Sequence, residues 1–185
     1  LQSDNTTIAV TFNEPVYTAT GATTALVTSD FALSITGGTA TLSSATPSSI
    51  SISGNTYTLG IPLSGTPNGN EVLTVVPSSA SAIYDASNNA ASITQMRNTV
   101  YLYDKTPPKI VKTSVKYNET VNVTFDEPVF GSNSMAVTQV SDFAFAISGG
   151  TATLSSNTPS SISTQNNGKN GTGHNGIGTS GPIYG

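Results

Sequence analysis

The chain has no cysteine and no tryptophan, a single histidine and only two methionines in 185 residues. Without cysteine there is no disulfide, no thiolate metal centre and no cysteine nucleophile. The one histidine, His174, lies in a glycine-rich stretch with no second histidine to share a metal, and makes no credible Ser-His-acid triad. Charge is scarce too. Charged residues make up 9%, and six Lys and Arg against ten Asp and Glu leave a net charge of -4. That balance lacks the basic footprint of nucleic-acid binding and any polybasic membrane patch. No apolar run nears the ~20 residues needed to cross a bilayer, so neither nucleic acid nor membrane insertion is expected. The chain begins at Leu1 without a signal-like segment, which reads as a mature form or an excerpt. Abundant Ser, Thr, Asn and Gly give it an extracellular composition.

What the chain does contain is a repetition. Residues 11–16 read TFNEPV and residues 124–129 read TFDEPV, 113 positions on. Residues 29–52, SDFALSITGGTATLSSATPSSISI, return at 141–163 as SDFAFAISGGTATLSSNTPSSIS, 112 positions on. Solenoid units repeat every 20 to 50 residues or so, whereas this period suits a whole domain of roughly 100 residues. The expected division is a first domain at 1–104, half of a second at 105–163, and a Gly/Asn-rich tail at 164–185 with no counterpart in the first.

Within each copy the apolar residues alternate. Ile8, Val10 and Phe12 are matched by Val121, Val123 and Phe125; Phe31, Leu33 and Ile35 are matched by Phe143, Phe145 and Ile147. A period of two marks strands with one buried face. Gly37-Gly38 predicts a hairpin returning through Ala40 and Leu42, and Gly54-Asn55 predicts another joining residues 50–52 to 57–61. Residues 71–76, 98–103 and 109–117 supply further strands, while 78–86 is a turn or a single helical loop. Short strands separated by Gly, Pro and Asn predict an all-β chain of tandem Ig-like antiparallel β-sandwiches, the second truncated. The linker at 103–110, YDKTPPKI, is stiffened by two consecutive prolines. Lys105, Lys109, Lys112 and Lys116 alternate with apolar positions as a charged solvent face. Half a sandwich exposes open edges, so either the chain is an excerpt of something longer or neighbouring copies complete it by strand addition.

Taken together, VTFNEPV at 10–16, SDFALSITGG at 29–38, EVLTVVP at 71–77, IYDASNNAAS at 83–92 and YDKTPPKIV at 103–111 resemble bacterial Ig-like repeats of large surface adhesins and surface-layer proteins. One departure is Asn88, where that family's D-x-x-G-N loop has glycine. The resemblance implies a non-catalytic structural segment of an extracellular adhesin stalk or cell-surface filament. Acids at the domain junctions of such arrays bind calcium, which makes Glu14, Asp85, Asp104, Asp126 and Glu127 the candidate ligands. The plainer reading is that Glu-Pro ends a strand in a turn and that Asp104 caps the linker.

Four N-x-Thr sequons, at Asn5, Asn118, Asn122 and Asn170, are candidate glycosylation sites, with Asn122 alternating with inward Val121 and Val123. Tyr101 and Tyr103 are candidates for an aromatic platform that binds sugar. They support the alternative function, a carbohydrate- or surface-polymer-binding module. The expected partners are copies of the chain itself and surface glycans, and calcium is the one candidate cofactor.

Overall fold

A computed structural model of the chain describes residues 1–117, 119–130, 139–165, 176–180 and 183–184. The described residues are all-β, with strands, two short 3-10 turns and no α-helix. The chain divides into two compact units, Leu1–Thr106 and Pro107–Gly185, so the boundary falls inside the proline linker.

Unit 1 contains β1 (Thr7–Thr11), β2 (Val16–Tyr17), β3 (Phe31–Thr36), β4 (Thr41–Leu42), β5 (Ile50–Ser53), β6 (Thr56–Gly60), β7 (Leu63–Ser64), β8 (Val72–Pro77), β9 (Tyr84–Asp85) and β10 (Thr99–Tyr101). Two antiparallel sheets, ordered β1-β6-β5 and β10-β8-β3, carry the core, and β2-β9 and β4-β7 form two short pairs. Alternation does the work in each strand. In β8 the inward Leu73, Val75 and Pro77 are buried while Val72, Thr74 and Val76 are half-exposed. Ile8, Tyr57 and Leu59 of one sheet and Phe31, Leu33, Leu73 and Val75 of the other enter one cluster with Leu26, Ile83 and Leu102 from the connections. Phe12, Phe31 and Tyr57 meet in its middle at centroid distances of 5.6 to 6.5 Å. Each fully buried leucine stabilises the unit by about 1.5–3 kcal/mol relative to exposure.

The β5–β6 hairpin forms at Gly54-Asn55 as the residues predict, with Ser53 opposite Thr56. The Gly37-Gly38 hairpin does not. The chain turns there with φ of 77° and 59°, but β4 leaves to pair with β7, and the partner of β3 is β8, with Phe31 opposite Pro77 and Thr36 opposite Val72. The reason is steric and electrostatic at once, because the space beside Gly38 is filled by the Glu71 side chain that precedes β8. Residues 78–83 form bends and a turn and Tyr84–Asp85 is β9, so no helix forms over 78–86.

Unit 2 contains β11 (Ile110–Lys116), β12 (Thr120–Phe125), β13 (Thr153–Leu154), β14 (Ser161–Gln165), β15 (Gly176–Ser180) and β16 (Ile183–Tyr184). Its main sheet is ordered β11-β12-β15-β14, and β13 pairs with β16. A bulge between Ile110 and Lys112 shifts the β11–β12 register.

Residues 164–185, expected to be a tail without counterpart, are corrected by this pairing. In unit 1, Thr7 stands opposite Gly60 and Ile50 opposite Leu59; in unit 2, Thr120 stands opposite Ser180 and Ile162 opposite Thr179. Leu42 opposite Leu63 becomes Leu154 opposite Ile183. Thus 176–180 and 183–184 take the places of 56–60 and 63–64 in the same register. The similarity is hidden in the sequence because ten residues, 166–175, stand where unit 1 has Gly54-Asn55, and because the matched positions keep little beyond Asn175, Pro182 and Gly185 for Asn55, Pro62 and Gly65.

Unit 2 repeats the local backbone of unit 1 elsewhere as well. The 3-10 turn Val140–Asp142 corresponds to Thr28–Asp30, and the bond from Phe145 N to Asn157 O (2.7 Å) corresponds to that from Leu33 N to Ala45 O (2.7 Å). Phe125 and Phe143 meet at 6.4 Å, as Phe12 and Phe31 do at 6.5 Å. Yet residues 143–148, the counterpart of β3, form no strand, since nothing described in unit 2 corresponds to β8.

Candidate functional site

Of the acids expected to hold calcium, Asp85, Asp104 and Asp126 spend carboxylate oxygens on donors close by in the fold. Asp85 ends β9, where its Oδ1 accepts from the backbone N–H of Ser87 and of Asn89 (2.8 Å each) and its Oδ2 accepts from Asn89 Nδ2 (2.8 Å). The Asn89 side-chain amide, followed by its backbone N–H, holds this carboxyl below the ordinary carboxylate value. Asn88, the departure from the glycine of the related loops, has φ 68°, a left-handed conformation that asparagine tolerates better than most side chains. Its Oδ1 accepts from Gly21 N at 2.7 Å, tying the loop to the 18–24 turn.

Asp104 Oδ1 accepts from the backbone N–H and the hydroxyl of Thr106, at 2.8 and 2.7 Å. Asp126 Oδ1 accepts from Lys109 N (2.7 Å), and Asp126 N donates to Lys109 O (3.0 Å), closing the end of the β11–β12 pair. Glu14 is exposed and Glu127 is half-buried. Among the described residues no three His, Cys, Asp or Glu side chains come together as a metal-ligand group.

The sequon asparagines separate sharply. Asn5, expected to be a glycosylation site, is 1% exposed with φ 63°, and both ends of its amide are engaged: Nδ2 donates to Tyr103 O (2.8 Å) and Oδ1 accepts from Tyr103 N (2.9 Å). A side chain that pairs like a strand neighbour has no free nitrogen to carry sugar in the folded unit. Asn122 is exposed on β12. Asn118 and Asn170 lie outside the described residues, as does His174. Tyr101 and Tyr103 are 67% and 51% exposed, flanking buried Leu102.

The most completely built polar arrangement is one that the strand pattern does not reveal. Glu71 is fully buried, and its Oε1 accepts from Thr39 N (2.6 Å) and Ala40 N (2.9 Å) while Oε2 accepts from Asn68 N (3.0 Å). Burial pushes this carboxyl up, but the N–H groups of Ala40, Thr39 and Asn68 together outweigh it and leave the group below its ordinary value. Gly38 is required beside it, since a Cβ there would lie 2.1 Å from the carboxyl group. Glu71 clamps β8 onto the β3–β4 turn. Asp30 acts similarly within its own turn, accepting from Thr18 Oγ1 and Val27 N at 2.8 Å each.

In unit 2 the corresponding ground is open. Beside residues 145–147 lies an apolar groove of about 560 Å³, walled by Val115, Val121, Phe145, Ile147 and Leu154. Phe31 and Leu33 are 2% and 3% exposed, whereas their counterparts Phe143 and Phe145 are only half-buried and Ile147 is 44% exposed. No family model, curated protein or solved structure matches this chain.

Proposed function

We propose that this chain is a non-catalytic structural segment of tandem Ig-like sandwiches, part of an extracellular adhesin stalk or cell-surface filament. The observation that carries the reading is the return of one strand register in two successive units of a single chain. The polar groups of unit 1 support it. Glu71, Asp30, Asp85 and Asn5 each bond to backbone N–H or C=O groups of unit 1, so these polar side chains serve the fold. Completion of unit 2 by strand addition from neighbouring copies is part of this reading.

Pulling on concatenated copies tests the load-bearing role. The expected record is a repeated force peak with contour increments of roughly 35 nm, from the 106 residues of unit 1 at about 3.4 Å each. Featureless extension would sink the stalk role. Calcium enters this reading through the carboxylates of each unit, Glu14, Asp85 and Asp104 in the first and Asp126 and Glu127 in the second. Melting in calcium and then in chelator measures it, and an unchanged midpoint would remove calcium from the proposal.

A second reading, a module that binds carbohydrate, rests on the exposure of Tyr101 and Tyr103. Glycan-array binding that disappears in Tyr101→Ala would support it. An array without signal would reject it.

A further inference from the structure

Asparagine before glycine is the pair at which a polypeptide most readily attacks itself, because the glycine nitrogen reaches the side-chain amide carbon with no Cβ in the way. Among the described residues only Asn68 stands before a glycine. It lies in the turn that leads into Glu71 and β8, and the reacting groups are laid out there. Asn68 Oδ1 accepts from Asn70 N (3.2 Å) and from Asn70 Nδ2 (3.3 Å). Asn68 Nδ2 donates to nothing among the described residues, and Gly69 N has no acceptor among them. Both residues are half-exposed, so water reaches them. Other asparagines of unit 1 lack this combination: Asn5 is clamped at both ends of its amide, and Asn88 and Asn89 hold the 85–89 loop.

We propose that Asn68-Gly69 is a self-modification site, where the folded chain converts asparagine to aspartate and isoaspartate without an enzyme and so loosens the Glu71 clamp. Gly69 N loses its proton to solvent and bonds to Asn68 Cγ; the Cγ–Nδ2 bond breaks and Nδ2 leaves as ammonia. The two Asn70 donors face the oxygen on which negative charge gathers in that step, as in an oxyanion hole. Water then opens the five-membered imide. Breaking the bond from Gly69 N to Cγ leaves aspartate, whereas breaking its bond to the Asn68 carbonyl carbon leaves isoaspartate, with the main chain rerouted through Cγ. Nothing is oxidised or reduced, and water is the only co-reactant.

The product disturbs the clamp because Asn68 N donates to both Glu71 oxygens, at 3.2 and 3.0 Å. Gly69 in turn packs beside Asp104, where an added Cβ would lie 3.2 Å from that residue's Cβ. A carboxylate at 68 therefore sets a like charge beside a buried one. Isoaspartate also lengthens the main chain by one carbon between that N–H and Glu71. The inference is independent of the load-bearing role.

The test is to incubate the full chain in warm neutral buffer, folded and in urea, and to follow residue 68 by peptide mapping with mass spectrometry. The map keeps it apart from Asn167, Asn170 and Asn175, which precede glycines elsewhere in the chain. Conversion in the folded chain at a rate comparable to that in urea is expected, with isoaspartate among the products. Asn70→Ala, which removes one donor, should slow conversion in the folded chain and leave the urea rate unchanged. The converted chain, separated by ion exchange, should have a folding equilibrium constant for unit 1 lower by about tenfold, the worth of one pKa unit on Glu71. Asn68→Asp should reproduce the part of that loss due to charge. Conversion confined to the urea sample, a folded Asn70→Ala chain that converts as fast as the parent, or a converted chain as stable as the fresh one would overturn the proposal.

Discussion

Glu71 illustrates how a single residue can decide a local topology. A buried carboxylate costs several kcal/mol in desolvation unless its lone pairs are used. Here Thr39, Ala40 and Asn68 use them, and the cost becomes a directional tie between β8 and the turn after β3. Glu71→Ala should lower the stability of unit 1 by about 3 kcal/mol, since it strands buried N–H groups; urea denaturation followed by Tyr fluorescence would measure it. Because the folded carboxyl lies below its ordinary value of 4.5, its stabilisation is complete above that pH and is lost as pH falls through 4.5 toward the folded value. The acid limb of the stability curve should therefore flatten in Glu71→Gln. Asn5→Ala should cost about 2 kcal/mol by unpairing Tyr103 N–H and C=O, and mass spectrometry of chain made in a glycosylating host should find Asn5 bare. Neither role was legible locally. Asn5 and Tyr103 are 98 positions apart, and an Asn-x-Thr triplet looks the same whether its amide is solvated or clamped.

At the scale of elements, β3 and its counterpart form a natural experiment. The two segments are close in sequence and enter with similar dihedrals at Phe31 and Phe143, but only β3 has β8 beside it. Amides of 31–36 should exchange slowly and those of 143–148 fast, by orders of magnitude, in hydrogen-exchange mass spectrometry. Equal protection would contradict the described pairing. The glycines should separate in the same way. Alanine at either Gly38 or Gly150 meets the left-handed φ penalty of roughly 1–2 kcal/mol. Only Gly38→Ala also collides with Glu71, so it should destabilise its unit clearly more in urea melts. The glycine pair was legible as a turn, but the hairpin inferred from it was not the one formed. Turn chemistry specifies where a chain bends; the choice of partner for β3 is a long-range competition won by β8 and its carboxylate.

At the scale of the molecule the two units differ in how much core they hold. Prolines aside, fourteen buried apolar residues, from Ile8 to Leu102, belong to unit 1, and Val123 alone belongs to unit 2 among the described residues. Stability follows buried apolar area, so the chain should unfold in two steps, unit 2 at lower urea. Coincident loss of amide protection in both units would refute this. Leu73→Ala, which empties a fully buried site, should lower only the upper transition, by about 2–5 kcal/mol.

Much was determined by the sequence alone: the repetition, the all-β character and the inward positions of most strands, because period-two patterning and long matched segments survive without knowledge of contacts. Ile8, Phe31 and Leu33 were readable as core for that reason. Only the tertiary structure decided which strands pair, and so revealed that 176–180 and 183–184 repeat 56–60 and 63–64. Strand pairing resides in backbone hydrogen bonds, which any side chains that fit can accompany, so the register survived where the residues had changed almost completely and a ten-residue connection had replaced a two-residue turn.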